Sequence, residues 1–81
     1  MTVKLLLFAQ CSDIVGSREL DVDLADGSTV NDLLGKLLEA HPGLKGLERS
    51  MMISVNQTYV EREQVLSDGD EVALITPVSG G

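Results

Sequence analysis

Carboxylates, thiols, imidazoles and chain ends are the groups that do chemistry in a small protein, and this sequence spaces few of them productively. The run DVDLADGSTVND puts Asp21, Asp23 and Asp32 at the first, third and twelfth positions of a calcium-loop pattern. Ala25 stands at the fifth position, Asp26 replaces the required glycine, and Asp32 replaces the bidentate glutamate. The solvated face of a strand is therefore the better reading. The one histidine, His41, and the one cysteine, Cys11, are thirty positions apart, and neither CxxC nor HxxxH occurs. No metal site is expected. His41 falls at the end of an expected helix, where a cation caps favourably. Cys11 sits beside Ser12 and Asp13, a setting that raises a thiol pKa rather than lowering it, and reads as an ordinary loop residue. No Ser-His-Asp spacing appears, and Gly27 and Gly69 are isolated turn glycines, not a phosphate cradle. The body is expected to hold no active site of its own.

The remaining candidate is the end of the sequence, ITPVSGG. Pro77 fixes φ, lacks an N–H and so ends strand pairing. It also pushes Thr76 toward an extended conformation. Residues 1–76 are expected to form the body, and Pro77, Val78, Ser79, Gly80 and Gly81 a flexible arm. From Thr76 the arm reaches at most about 20 Å. Its tip carries no Cβ, so it threads a channel too narrow for a side chain. A Gly81 carboxylate, ionised at neutral pH, is a poor electrophile until a separate ATP-using enzyme activates it, for example as an acyl-adenylate.

The elements that position such an arm can be read from periodicity. TVKLLLFAQ reads as a strand with Val3, Leu5, Leu7 and Ala9 on one face and Lys4, Leu6 and Phe8 on the other. ELDVDL alternates, with Leu20, Val22 and Leu24 inward and Glu19, Asp21 and Asp23 outward. The segment CSDIVGS between them predicts a hairpin connection. Ser28 or Thr29 starts a helix, with Asp32 in its first turn. Val30, Leu33, Leu34, Leu37 and Leu38 form its apolar stripe, and Pro42 and Gly43 end it. Gly35 costs that helix about 1 kcal/mol relative to alanine, and close packing is the one compensation that suggests itself. MMISV predicts a third strand, Asn56 and Gln57 a tight turn, and TYVE a short fourth strand. Gly69 is the expected positive-φ residue of the next turn, and EVALIT the last strand. One helix across one face of a mixed sheet of four or five strands follows, an α+β domain with its first and last strands adjacent in the middle.

Composition narrows the partners. Thirteen acidic residues against six basic ones give a net charge of −7. That field repels phosphate backbones and anionic membranes, so no nucleic acid and no membrane is expected, whereas a basic protein partner is compatible. The N-terminal apolar run spans five residues, too short for a secretory core, and no stretch approaches the ~20 apolar residues of a membrane helix. A lone cysteine allows no internal disulfide. The chain reads as cytoplasmic. With only Phe8 and Tyr59 as aromatics, its core must be aliphatic.

LLLFAQ, SVNQTYV and LSDGDEVALITPVSGG together resemble the small, sulfur-carrying subunit of molybdopterin synthase, a family with the ubiquitin-like β-grasp fold. The resemblance spans essentially the whole chain. Thr76 stands where that family often has the first of two prolines, and Leu74 and Ile75 where it often has aromatics. The resemblance implies that the chain is not an enzyme by itself but the sulfur-donating subunit of a transferase complex. An E1-like enzyme, using ATP and magnesium, would adenylate Gly81, and a sulfur donor would convert it to a thiocarboxylate. The arm would then enter the large subunit, within a heterotetramer of two small and two large subunits. There it would give sulfur to the pterin precursor, cyclic pyranopterin monophosphate. Two such carriers would complete the dithiolene that later holds molybdenum. No cofactor is expected on this chain itself. Both partners would grip one exposed apolar face, with Leu6, Phe8, Leu74 and Ile75 as the expected contacts. The alternatives are a thiamine-pathway sulfur carrier, whose chains are usually shorter and fit PVSGG less well, and a ubiquitin-like modifier joined to lysines through Gly81. A plain β-grasp interaction module is a third.

Overall fold

Alternating burial in the first strand sets the architecture. β1 (Thr2–Leu7) turns Val3, Leu5 and Leu7 into the core and leaves Thr2 and Lys4 exposed, with Leu6 half-buried on the same outer side. The structure, a computed structural model, describes residues 1–76, so the expected arm, Pro77, Val78, Ser79, Gly80 and Gly81, lies outside the described residues. β2 (Glu19–Asp23) pairs antiparallel with β1, and β5 (Glu71–Ile75) pairs parallel with β1 on its other side. β3 (Met52–Val55) pairs antiparallel with β5, and the two-residue β4 (Thr58–Tyr59) closes the far edge. The five-stranded order is β2-β1-β5-β3-β4. The first and last strands are neighbours at the centre, as their apolar content requires. Asn56 and Gln57 turn the β3–β4 connection with φ of 50° and 71°.

The parallel pairing of β1 with β5 is fixed by the turn that precedes β5. Gly69 takes φ +83° and donates its N–H to the Thr2 carbonyl at 2.8 Å. The Lys4 N–H donates to the Asp70 carbonyl at 2.9 Å, and the Thr2 N–H to Asp68 Oδ1 at 2.8 Å. Asp70 also accepts from the Ser67 N–H at 2.7 Å and from Asn56 Nδ2 at 2.9 Å. With its start tied to both neighbours, β5 has one register, and its last residue leaves the sheet at a defined point.

One helix, α2 (Val30–Ala40), covers the inner face. Thr29 is its N-cap: Thr29 Oγ1 accepts from the Asp32 N–H, and Asp32 Oδ2 accepts from the Thr29 N–H at 2.9 Å. The other unpaired N–H groups of the first turn also find acceptors. Val30 donates to the Gln64 carbonyl and Asn31 to the Arg62 carbonyl, both at 2.9 Å. Val30, Leu33, Leu34 and Leu37 are buried against Leu5, Leu44, Leu66, Val72 and Leu74 in one aliphatic core, with Leu38 partly buried at its margin. His41 stands at the C-cap, its backbone N–H donating to the Leu37 carbonyl at 2.8 Å. A short 3-10 turn, Pro42–Leu44, ends the helical path.

Gly35 does not serve close packing. A Cβ placed there meets nothing within 4 Å, and its backbone is ordinary helix. Gly35→Ala is therefore expected to stabilise the protein by about 0.5–1 kcal/mol. The check is a urea midpoint that rises without a change in slope.

Two expectations about the first connection are corrected. Residues after β1 are not a plain hairpin loop: they form α1 (Gln10–Val15), although β1 and β2 pair antiparallel as expected. Ala9 is not a fourth inward residue of the strand. It takes φ 51° and ψ −125° in a tight turn closed by the Cys11 N–H donating to the Phe8 carbonyl at 3.1 Å. That turn swings Cys11 under the sheet, where it is fully buried. The helical spacing of Cys11 and Val15 is the apolar signal, over a segment too short to show periodicity clearly.

Candidate functional site

Everything that could present a C-terminal arm converges on the end of β5. Ile75 is the last paired residue, opposite Met52 of β3, and Leu74 pairs with Leu7 of β1 and Ile53 of β3. Thr76, just beyond, is buried at 6 % exposure, so the chain is held until the residue before Pro77. Gly81, the expected reactive residue, and Pro77, Val78, Ser79 and Gly80 fall outside the described residues. What the structure places is Thr76, the residue from which the expected arm would leave, and the surface around it.

That surface is the outer face of the sheet, opposite α2. Phe8 is 47 % exposed, Met52 49 % and Tyr59 63 %, while Leu6, Ala73 and Ile75 are half-buried between them. Register explains the grouping: Leu6 is opposite Ala73, Ala73 opposite Ser54, and Ser54 opposite Tyr59, in one row across four strands. Met52 and Ile75 form the adjacent row nearer Thr76. An open groove of about 550 Å³ continues this surface past Leu6 and Phe8 to Ala9, Arg18 and Glu19. Exposed aliphatic and aromatic groups rimmed by charge are what a protein-docking face needs.

Of the expected contacts, Leu6, Phe8 and Ile75 lie on this face. Leu74 does not: its side chain is fully buried on the α2 side, one position out of phase. Glu71 carried the missed signal. A charged residue in a half-covered strand points outward, which puts Ala73 and Ile75 outward with it and Val72 and Leu74 inward. Met52 and Tyr59 were also missed, although Tyr59 is one of only two aromatics and has no core to enter.

The remaining candidates reduce to structure. Asp21 and Asp23 are on β2, whereas Asp32 is taken by the Thr29 cap, so the calcium-like spacing does not build a loop. Among the described residues, no group of three His, Cys, Asp or Glu side chains is placed to hold a metal ion. Burial pushes the Cys11 thiol up from its ordinary value, so desolvation, rather than the neighbouring Asp13, sets its low reactivity. No described helix is long and apolar enough to cross a membrane.

Comparison with known proteins agrees with this geometry. The ThiS family pattern matches residues 5–81. The molybdopterin synthase sulfur carrier subunit of Chlamydomonas reinhardtii is 40% identical over 83 residues, covering 100% of both chains. Among solved structures, SAMP1, a small archaeal modifier protein from Haloferax volcanii, superposes with a TM-score of 0.89 at 32% identity over 100% of both chains. A putative molybdopterin converting factor subunit 1 from Pyrococcus furiosus gives 0.87 at 29% identity, covering 96% of this chain and 99% of that one. The mixed sheet with a helix packed across it agrees with these neighbours, and the family pattern covers nearly the whole sequence: the chain belongs to the ThiS family of ubiquitin-like β-grasp proteins.

Proposed function

We propose that this chain is the sulfur carrier subunit of a molybdopterin synthase in molybdenum cofactor biosynthesis. The observation that carries the reading is the end-to-end 40% identity to a protein of that name. In this reading an E1-like enzyme uses ATP and magnesium to adenylate the Gly81 carboxylate. A sulfur nucleophile from a donor then displaces AMP and leaves a thiocarboxylate. The arm, Pro77 to Gly81, carries that sulfur into the large subunit. The side chains acting on cyclic pyranopterin monophosphate belong to the large subunit, and two small chains serve two large ones. This chain's part is physical. Its fold holds the arm's root at Thr76, and the glycines at the tip present no Cβ to a narrow channel. The outer face, with Phe8, Met52 and Ile75, supplies the grip that both partners use in turn.

A second reading, a protein modifier linked through Gly81 to lysines, is favoured by the likeness to SAMP1. Intact-mass analysis of the chain purified from its native host separates the two. The carrier reading expects sulfur in place of one oxygen at the C-terminus. Isopeptide conjugates to lysine with no thiocarboxylate would select the modifier, and a plain carboxylate with no lysine conjugates, even after incubation with the E1-like enzyme, ATP and a sulfur donor, rejects both.

A further inference from the structure

We propose that the free edge of β2, with the groove between it and α2, is a second docking site, one that accepts an added β-strand from a partner protein. The strand it fits alternates basic and aliphatic side chains. This site lies at the opposite edge of the sheet from β3 and β4 and is independent of the arm.

The backbone supplies the first half of the site. Met1 and Leu24 exchange two hydrogen bonds, at 2.8 and 2.9 Å, and the Leu7 N–H donates to the Arg18 carbonyl at 2.9 Å. In an antiparallel ladder such pairs alternate, so Leu20 and Val22 spend their N–H and C=O on β1. Glu19, Asp21 and Asp23 then aim theirs outward from the sheet. Two of the outward carbonyls are already engaged, Glu19 by Ser17 Oγ at 2.7 Å and Asp23 by Lys36 Nζ, so the open stretch of the edge is centred on Asp21. Among the described residues no partner takes the N–H and C=O of Asp21. An unpaired strand edge of this kind is a template for another strand.

The groove supplies the second half. A recess of about 260 Å³ runs alongside β2, walled by Leu20 and Val22 on one side and Leu37 and Ala40 on the other. It is smaller than the ~300–1,000 Å³ of an ordinary small-molecule pocket. Its apolar walls suit the alternate side chains of an extended segment instead. Lys36 stands on the helix side of the recess and disfavours a cation inside it. The aliphatic residues of the added strand therefore enter the groove, and its basic residues fall on the outer face.

Charge selects the occupant. On that outer face Glu19, Asp21 and Asp23 stand exposed in one row at every second residue. A second copy of β2 would place carboxylates opposite carboxylates, so self-pairing is disfavoured. A strand with lysine or arginine at every second position places a cation opposite each. The chain's net charge of −7 adds attraction at a distance.

The test uses the full chain, labelled with nitrogen-15, and a synthetic peptide of alternating lysine and valine at physiological salt. Saturable shifts are expected at Glu19–Asp23 and at Leu37, Ala40 and His41, with the Asp21 amide becoming protected from exchange. A peptide of the same composition with its lysines and valines in separate blocks, and one with glutamate for lysine, are each expected to bind at least about tenfold more weakly. Asp21→Pro removes the outward N–H without touching the ladder to β1, and Ala40→Arg fills the groove mouth from an exposed helix position. Each is expected to weaken binding by about tenfold. Equal binding of the block or glutamate peptide overturns the proposal. So does unchanged affinity in Ala40→Arg, absence of saturable binding, or shifts confined to the Phe8–Met52 face.

Discussion

Deletion of Gly81 is expected to abolish sulfur transfer by the reconstituted synthase while leaving the fold in place. The core runs from Val3 to Leu74, and strand pairing ends at Ile75. Removal of a residue six positions further on leaves every one of those contacts, so stability should change by no more than about 0.5 kcal/mol. The shortened chain still ends in a glycine carboxylate. What it loses is reach, about 3.5 Å per residue. A misplacement of even ~1 Å at a reacting centre can cost ~100-fold in rate. The drop in dithiolene formation should therefore exceed ~100-fold in single turnover, even if the truncated chain is supplied already thiocarboxylated by chemical means. A truncated chain that transfers sulfur within about threefold of the intact one would remove Gly81 from the chemistry. The urea midpoint of the same preparation separates this loss from misfolding.

That the Gly-Gly could be singled out in the sequence, while the exposed apolar face was only half visible, has a physical explanation. The Gly-Gly stands out because nothing about folding asks for two residues without side chains after a proline. The helix was legible because its apolar stripe spans three turns, and its N-terminus because Ser28 and Thr29 are capping residues followed by an acidic Asp32, while the choice of Thr29 and its reciprocal bond with Asp32 came from the structure. Gly69 was legible as a turn because it follows an aspartate between two strand-like runs. Leu74 and Ile75 are equally apolar, and in a central strand both faces accept such residues, so their own types do not decide which points inward. The parity had to come from Glu71, four residues before Ile75, and from the pairing with β1 and β3. α1 was hidden for a different reason. It exists because Ala9 adopts a positive φ that no propensity favours in alanine, and the burial of Cys11 is what that turn secures.

The adjacent pair Leu74 and Ile75 also gives the sharpest separation of fold from function. Leu74 is fully buried between Leu7 and Ile53, under α2. Leu74→Ala deletes methyl groups from a close-packed aliphatic core that has no aromatic side chain to collapse into the space. Its expected cost is about 2–5 kcal/mol. At ~0.05–0.15 kcal/mol per residue, a domain of this size has roughly 4–12 kcal/mol in total. The variant should therefore lose a large fraction of its stability and melt well below the parent. Ile75→Ala removes a half-buried side chain from the outer face, beside Met52. Its stability cost should stay near 1 kcal/mol. With Ile75 proposed as one of the few hot-spot contacts, its truncation is expected to remove ~1 kcal/mol or more of binding, so affinity for the large subunit should fall at least ~5-fold. Urea unfolding and calorimetric titration of the two variants, run side by side, measure both quantities. The opposite pattern, with Ile75→Ala unfolding the protein and Leu74→Ala binding poorly while fully folded, would mean that β5 presents its other face to the partner. The sheet would then have to slip by one residue, which would carry Glu71 into the core. A carboxylate there, with no cation beside it, costs more than either alanine substitution, and that cost is what holds Ile75 at the surface next to the root of the arm.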